Sequence, residues 1–115
     1  MIGIDIVQIS RIEQKISSAS FLNKAFTKAE LEYYNKTGKR AETLAGFFAA
    51  KEAVAKALGT GFNGFNLTDI QITHNIHGAP IAQCFGRAAD LLQNKKVNIS
   101  ISHDGDIATA IAMLS

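Results

Sequence analysis

The sequence predicts an α+β fold, a long central helix packed on a small antiparallel sheet. Three observations carry this. Residues 41–58 are Ala-rich, hold no glycine except Gly46 and stop at Gly59, so they form the longest helix. Val97, Ile99 and Ile101 alternate with Asn98, Ser100 and Ser102, then a turn signal over His103-Asp104-Gly105-Asp106 leads into an apolar run at 107–114, which reads as a hairpin. Helices and strands do not alternate regularly, which excludes a repeating βαβ sheet.

The remaining elements follow from local signals. Ile2, Ile4 and Ile6 share one face of a strand over 2–8, with Gly3, Asp5 and Val7 on the other. Ser10-Arg11-Ile12-Glu13 has the form of a capping box that opens a short helix along Ile9, Ile12 and Ile16. Thr27-Lys28-Ala29-Glu30 is a second capping box, with its helix running to about Asn35. Gly38-Lys39-Arg40 is a basic joint before the long helix. Beyond Gly59 come a Gly-rich loop over 60–65, a strand near 67–73, a turn at His77-Gly78-Ala79-Pro80, a strand over 81–85 and a helix over 87–94.

The chain has 115 residues, a net charge of +2, 47% hydrophobic residues and 19% charged ones. That length fits a single domain over 1–115, and the composition excludes a disordered chain. The mild positive charge lacks the dense basic stripe of a dedicated nucleic-acid binder, yet permits anionic ligands or an acidic partner. A lone cysteine, Cys84, excludes an internal disulfide. No apolar stretch is long enough to span a membrane and no signal peptide is evident, so a cytoplasmic protein is expected.

Several residues break the pattern. Asp5 lies between Ile4 and Ile6, where a carboxylate either faces water from an edge strand or meets a cation. On a wheel of the long helix, Leu44, Phe47, Phe48, Val54 and Leu58 make a bulky arc that contains Lys51. Ala41, Ala45, Ala49 and Ala53 line the opposite side. Glu52 borders the core, with Lys56 one turn further on; the spacing also fits an ordinary surface pair. Gly59-Thr60-Gly61 follows a helix and lacks the Gly-Lys-Ser/Thr ending, so it is not a P-loop. His103 shares the face of Val97, Ile99 and Ile101, where a structural histidine is the plain reading. His74 and His77 lack a third ligand nearby and read as surface residues, and Cys84 reads as a small buried hydrophobe.

In combination these segments resemble a family. Gly3-Ile4-Asp5-Ile6-Val7 with Ser10-Arg11-Ile12 is similar to the opening of the holo-acyl-carrier-protein synthases. Phe48-Ala49-Ala50-Lys51-Glu52-Ala53, then Lys56-Ala57 and Gly59-Thr60-Gly61, resembles that family's central motif. Ile99-Ser100-Ile101-Ser102-His103 with Ala108 and Ala110 resembles its closing hairpin. The similarity runs from residue 2 to residue 114 and implies the 4′-phosphopantetheinyl transferase fold.

The resemblance implies an enzyme that moves 4′-phosphopantetheine from coenzyme A to a serine of apo acyl carrier protein, in fatty acid biosynthesis. Asp5 and Glu52 would be ligands of Mg²⁺, a hard ion that keeps waters and accepts phosphate oxygens. Glu52 would also be the base for the serine proton and Lys56 would stabilise phosphate charge. Lys51, Lys56, Gly59, Thr60, Gly61 and His103 would hold the coenzyme. Phe47 stands where the family commonly carries arginine, so Lys39 or Arg40 would replace that contact; Asp104 stands where Ser or Thr is usual. Arg11 would dock the acidic carrier. A homotrimer with sites at subunit junctions is implied. A catalytically silent trimeric module that binds coenzyme A or carrier protein is the alternative.

Overall fold

The alternation over the first residues produces β1 (Ile2–Gln8), one edge of a three-stranded antiparallel sheet whose central strand spans Ile107–Leu114 and whose other edge spans Val97–Asp104. β4 (Val97–Asp104) and β5 (Ile107–Leu114) are the predicted hairpin, and Asp5 stands opposite Ala110 in the β1–β5 register. The computed structural model describes residues 1–59 and 64–115. Thr60 and Gly61 of the predicted coenzyme loop therefore lie outside the described residues.

α1 (Ile9–Lys15) forms, but the capping box at Ser10 does not. The Ser10 hydroxyl and amide instead donate to the Asp106 carboxylate at 2.7 and 2.8 Å, and the Ile9 amide donates to the Asp106 carbonyl at 2.8 Å. The register explains this. Gln8 lies opposite Ile107, so the β4–β5 turn sits against the start of the helix and supplies the acceptors. α2 (Ala19–Ala25), capped by the Ser18 hydroxyl, is an unpredicted helix: Phe21 stands where a capping box would carry Glu or Gln, so no box marks its start. α3 (Lys28–Lys36) carries its predicted box: the Thr27 amide donates to Glu30 Oε1 at 2.8 Å and the Glu30 amide to Thr27 Oγ1 at 3.3 Å.

α4 (Ala41–Ala57) ends at Gly59, whose φ of +86° is the left-handed conformation that stops a helix. A 3₁₀ turn (Leu67–Asp69), closed by Asp69 on the Asn66 amide, delays β2 to Ile70–His74. Among the described residues β2 pairs with β3 (Pro80–Cys84) alone, in a separate antiparallel hairpin, and α5 (Gly86–Leu92) follows.

The core surrounds α4 on both of its arcs. The alanine arc is as dry as the bulky one, with Ala45, Ala49 and Ala53 fully buried alongside Leu44 and Val54. Small side chains allow the closest approach at Gly3. A Cβ there would lie 2.0 Å from the Ala53 carbonyl oxygen and 2.7 Å from the Ala57 amide nitrogen. Strand and helix thus meet backbone to backbone, which only glycine permits. Ala108, Ala110 and Ala112 of β5 are buried as well. The opposite face of the sheet is bare: Ile2, Ile4 and Ile6 are 62%, 63% and 66% exposed, with Met113 beside them at 53%.

Candidate active site

Asp5 faces the helix rather than the water that its edge position offers. Its neighbours Ile4 and Ile6 point outward, so the pleat turns Asp5 to the side of Gly3, against the C-terminal half of α4. There the Lys56 ammonium donates to Asp5 Oδ1 at 3.0 Å and to the Ile4 carbonyl at 3.0 Å. The contact that i, i+4 spacing allows between Lys56 and Glu52 is replaced by this one. Glu52 is half-buried and has neither a hydrogen bond nor an ion pair among the described residues. Burial raises its carboxyl pKa; the nearby Asp5 charge pushes the same way, and Lys56 opposes both.

Two carboxylates that repel each other, with a single ammonium between strand and helix, are a hard-oxygen site that lacks positive charge. That donor set suits a magnesium ion, which needs only one or two carboxylates and takes water and phosphate oxygens for the rest. Among the described residues no third Asp, Glu, His or Cys joins them.

A second site lies at the other end of α4. A cavity of about 240 Å³ is bordered by Arg40, Tyr33, Phe47, His74, Ile101 and His103. The structure thus brings Arg40 and His103 together across 63 residues of sequence. His74, expected at the surface, stacks on Tyr33 with ring centroids 4.4 Å apart, and Phe47 tilts against both at 5.7 and 5.8 Å. The His74 Nδ1 is enclosed without a partner among the described residues, and burial lowers the pKa of the ring. Tyr33 and His74 were not legible as site residues; nothing local in the sequence links them. Cys84 is half-buried, and burial pushes its thiol pKa up.

Lys51 requires a correction. The resemblance assigns it to the coenzyme, but the structure buries it completely. Its ammonium pairs with Glu30, also fully buried, and donates to the carbonyls of Ala25 at 2.9 Å and Leu67 at 3.2 Å. An ammonium has three donors, and all three are engaged. Burial drives the Glu30 carboxyl pKa up and the Lys51 pKa down, while their mutual attraction opposes both shifts. The bulky arc explains the outcome: Lys51 points with Phe47 into the α2–α3 side of the core. Gly59 caps α4 beyond Lys56. Arg11 is exposed on α1, without an ion pair among the described residues.

The two sites do not meet within one chain. Arg40 precedes the first residue of α4 and Lys56 is its second last, about 24 Å apart along a helix axis.

A model of the 4′-phosphopantetheinyl transferase superfamily matches residues 1–112. The chain belongs to this superfamily. Within it, the chain is similar to the holo-[acyl-carrier-protein] synthase of Fusobacterium nucleatum, 47% identical and covering 98% of this chain and 96% of that protein. The protein of the same name from Clostridium beijerinckii is 44% identical, covering 98% of this chain and 94% of that one. The crystal structure of the Helicobacter pylori holo-[acyl-carrier-protein] synthase in complex with coenzyme A superposes with a TM-score of 0.89 at 35% identity, covering 100% of both chains.

Proposed function

We propose that this chain transfers 4′-phosphopantetheine from coenzyme A to a serine hydroxyl of apo acyl carrier protein, in the cytoplasm, as a step of fatty acid biosynthesis. The observation that carries the reading is the convergence of Asp5, Glu52 and Lys56 in a chain similar along its length to holo-[acyl-carrier-protein] synthases.

The serine oxygen attacks the phosphorus that bears pantetheine. The bond from that phosphorus to the bridging oxygen breaks, and its electron pair leaves on adenosine 3′,5′-bisphosphate. Glu52 takes the serine proton, directly or through a water. Without a metal, burial and the Asp5 charge raise its pKa, which favours its accepting a proton. Lys56, half-exposed and already donating to Asp5, turns a donor to the phosphate oxygens. Asp5 and Glu52 would hold Mg²⁺, which would neutralise the charge that grows on those oxygens. Gly59, Thr60 and Gly61 would run along the coenzyme, and Arg11 would dock the acidic carrier.

Arg40 and His103 would take the 3′-phosphate. That phosphate and the pyrophosphate hang from one ribose, a few bonds apart, whereas Arg40 and Lys56 of one chain stand about 24 Å apart. One coenzyme would therefore use Lys56 of one copy and Arg40 of another. The bare stripe of Ile2, Ile4, Ile6 and Met113 on the sheet supports a shared interface, and a trimer is the assembly proposed.

The test is the intact mass of apo carrier protein after incubation with this chain, coenzyme A and Mg²⁺. The expected result is a gain of one phosphopantetheine that a chelator abolishes. No gain from folded protein would favour a silent module that binds coenzyme A or carrier protein.

A further inference from the structure

We propose that the buried Glu30–Lys51 pair positions the walls of the Arg40–His103 cavity, so that Lys51 governs coenzyme affinity without touching the coenzyme. This rests on the reading of that cavity as a coenzyme pocket.

The pair gathers three elements at one point. Glu30 lies on α3 and Lys51 on α4, and the Ile72 amide of β2 donates to Glu30 Oε2 at 2.7 Å. That amide belongs to the edge of β2 that β3 does not cover, so the carboxylate completes the hairpin where no strand does. One step along each element stands a ring of the cavity wall. Tyr33 follows Glu30 by three residues on α3, Phe47 precedes Lys51 by four on α4, and His74 follows Ile72 by two on β2. Each spacing keeps the two residues on one face of their element. The charged knot and the Tyr33–Phe47–His74 cluster are thus adjacent layers of one junction, the first dry and the second lining the cavity.

The two layers differ in what they can enforce. Ring and aliphatic contacts are weakly directional and tolerate sliding. Charge-assisted hydrogen bonds hold both length and angle, so they fix how far α3, α4 and β2 slide past one another. Lys51 reaches further, to the last carbonyl of α2 and to Leu67 in the 3₁₀ turn, which ties the same point to the chain beyond Gly59.

The test is the double variant Glu30→Gln/Lys51→Met in the full chain. It removes both charges at nearly constant volume and leaves no lone ion in the core. The expected result is a retained circular-dichroism spectrum, a coenzyme A Kd by calorimetry raised by about tenfold or more, and an unchanged KM for carrier protein. A folded double variant with the affinity of the wild type would overturn the proposal and leave the transferase reading intact. If Arg40→Ala and His103→Ala leave coenzyme affinity unchanged, the pocket reading fails and this proposal fails with it. Glu30→Gln alone keeps the side-chain length and one acceptor. Because that variant leaves the Lys51 ammonium alone in the core, the fallback if the double variant does not fold is Glu30→Asp, which keeps both charges and shortens the acid by one methylene; it gives the same two outcomes with a smaller shift.

Discussion

One helix carries two groupings of acid and lysine, and they have opposite characters. At Lys51 the pair with Glu30 is fully buried, and every lysine donor is engaged. At Lys56, five residues on and about 140° around the helix, the ammonium is half-exposed, and two carboxylates compete for it. Residue types do not separate the two groupings; satisfaction does. The dry pair has no capacity left for a ligand and can only hold structure. The wet trio has a surplus of negative charge, a Glu52 with no partner among the described residues and access to solvent, the conditions that a metal ion and a phosphate would resolve.

The largest effect expected breaks the dry side. Lys51→Met leaves Glu30 buried without its counter-charge, and stability in urea should fall by about 3–5 kcal/mol. Adding Glu30→Gln should recover part of the loss, since it removes the lone charge but sets an amide donor against the Thr27 or Ile72 N–H. A single variant within about 0.5 kcal/mol of the wild type would place both groupings in one class.

The next sharpens the wet side, where activity and stability should move in opposite directions. Glu52→Gln should lower carrier loading by about 10²–10³-fold. It should not lower the melting temperature at neutral pH. A raised carboxyl pKa in the folded state contributes stability that is present below the unfolded value of 4.5 and is lost as pH rises through the folded value. At neutral pH the ionised Glu52 is therefore a net cost, and the glutamine removes it. Melting curves of the metal-free protein, taken with a chelator from pH 4 to pH 8, should show the variant's advantage shrinking as pH falls. An advantage that grows toward acid would contradict the assignment of Glu52 as a strained carboxylate.

The smallest effect on the chain itself tests whether the wet trio needs a second copy. Ile4 faces away from Asp5 and is 63% exposed. Ile4→Ser should change the stability of the isolated chain by no more than about 0.5 kcal/mol. In sedimentation the variant should shift to a smaller species, with a parallel loss of carrier loading. Full loading by a monomer would show that one chain holds the whole site.

Much of the fold is legible because its signals are local. The Thr27–Glu30 box, the stop at Gly59 and the hairpin at 97–114 each depend on groups close in sequence. The Ser10 box fails for the complementary reason. Its expected acceptor is near, but Asp106, 96 residues away, arrives first through the sheet register. α2 is not legible because Ser18 caps it without a Glu or Gln three residues on, and the serines around it read as a loop. At the site, Asp5, Glu52 and Lys56 stood out as charges at the edge of apolar runs. Lys51 stood out in the same way, and only its surroundings show that it is satisfied.

The sequence by itself determined most of the elements, the Thr27–Glu30 cap, the stop at Gly59 and the motif that places this chain in its superfamily, because hydrogen bonds over three or four residues and side-chain periodicity need no distant partner. Tertiary structure decided which lysine is dry, which face Asp5 takes and how Tyr33, Phe47 and His74 meet. Burial and donor satisfaction depend on groups 26 to 51 residues apart, as in Lys51 with Ala25, Ile72 with Glu30 and Lys56 with Asp5. The same charge is inert or reactive according to what packs against it.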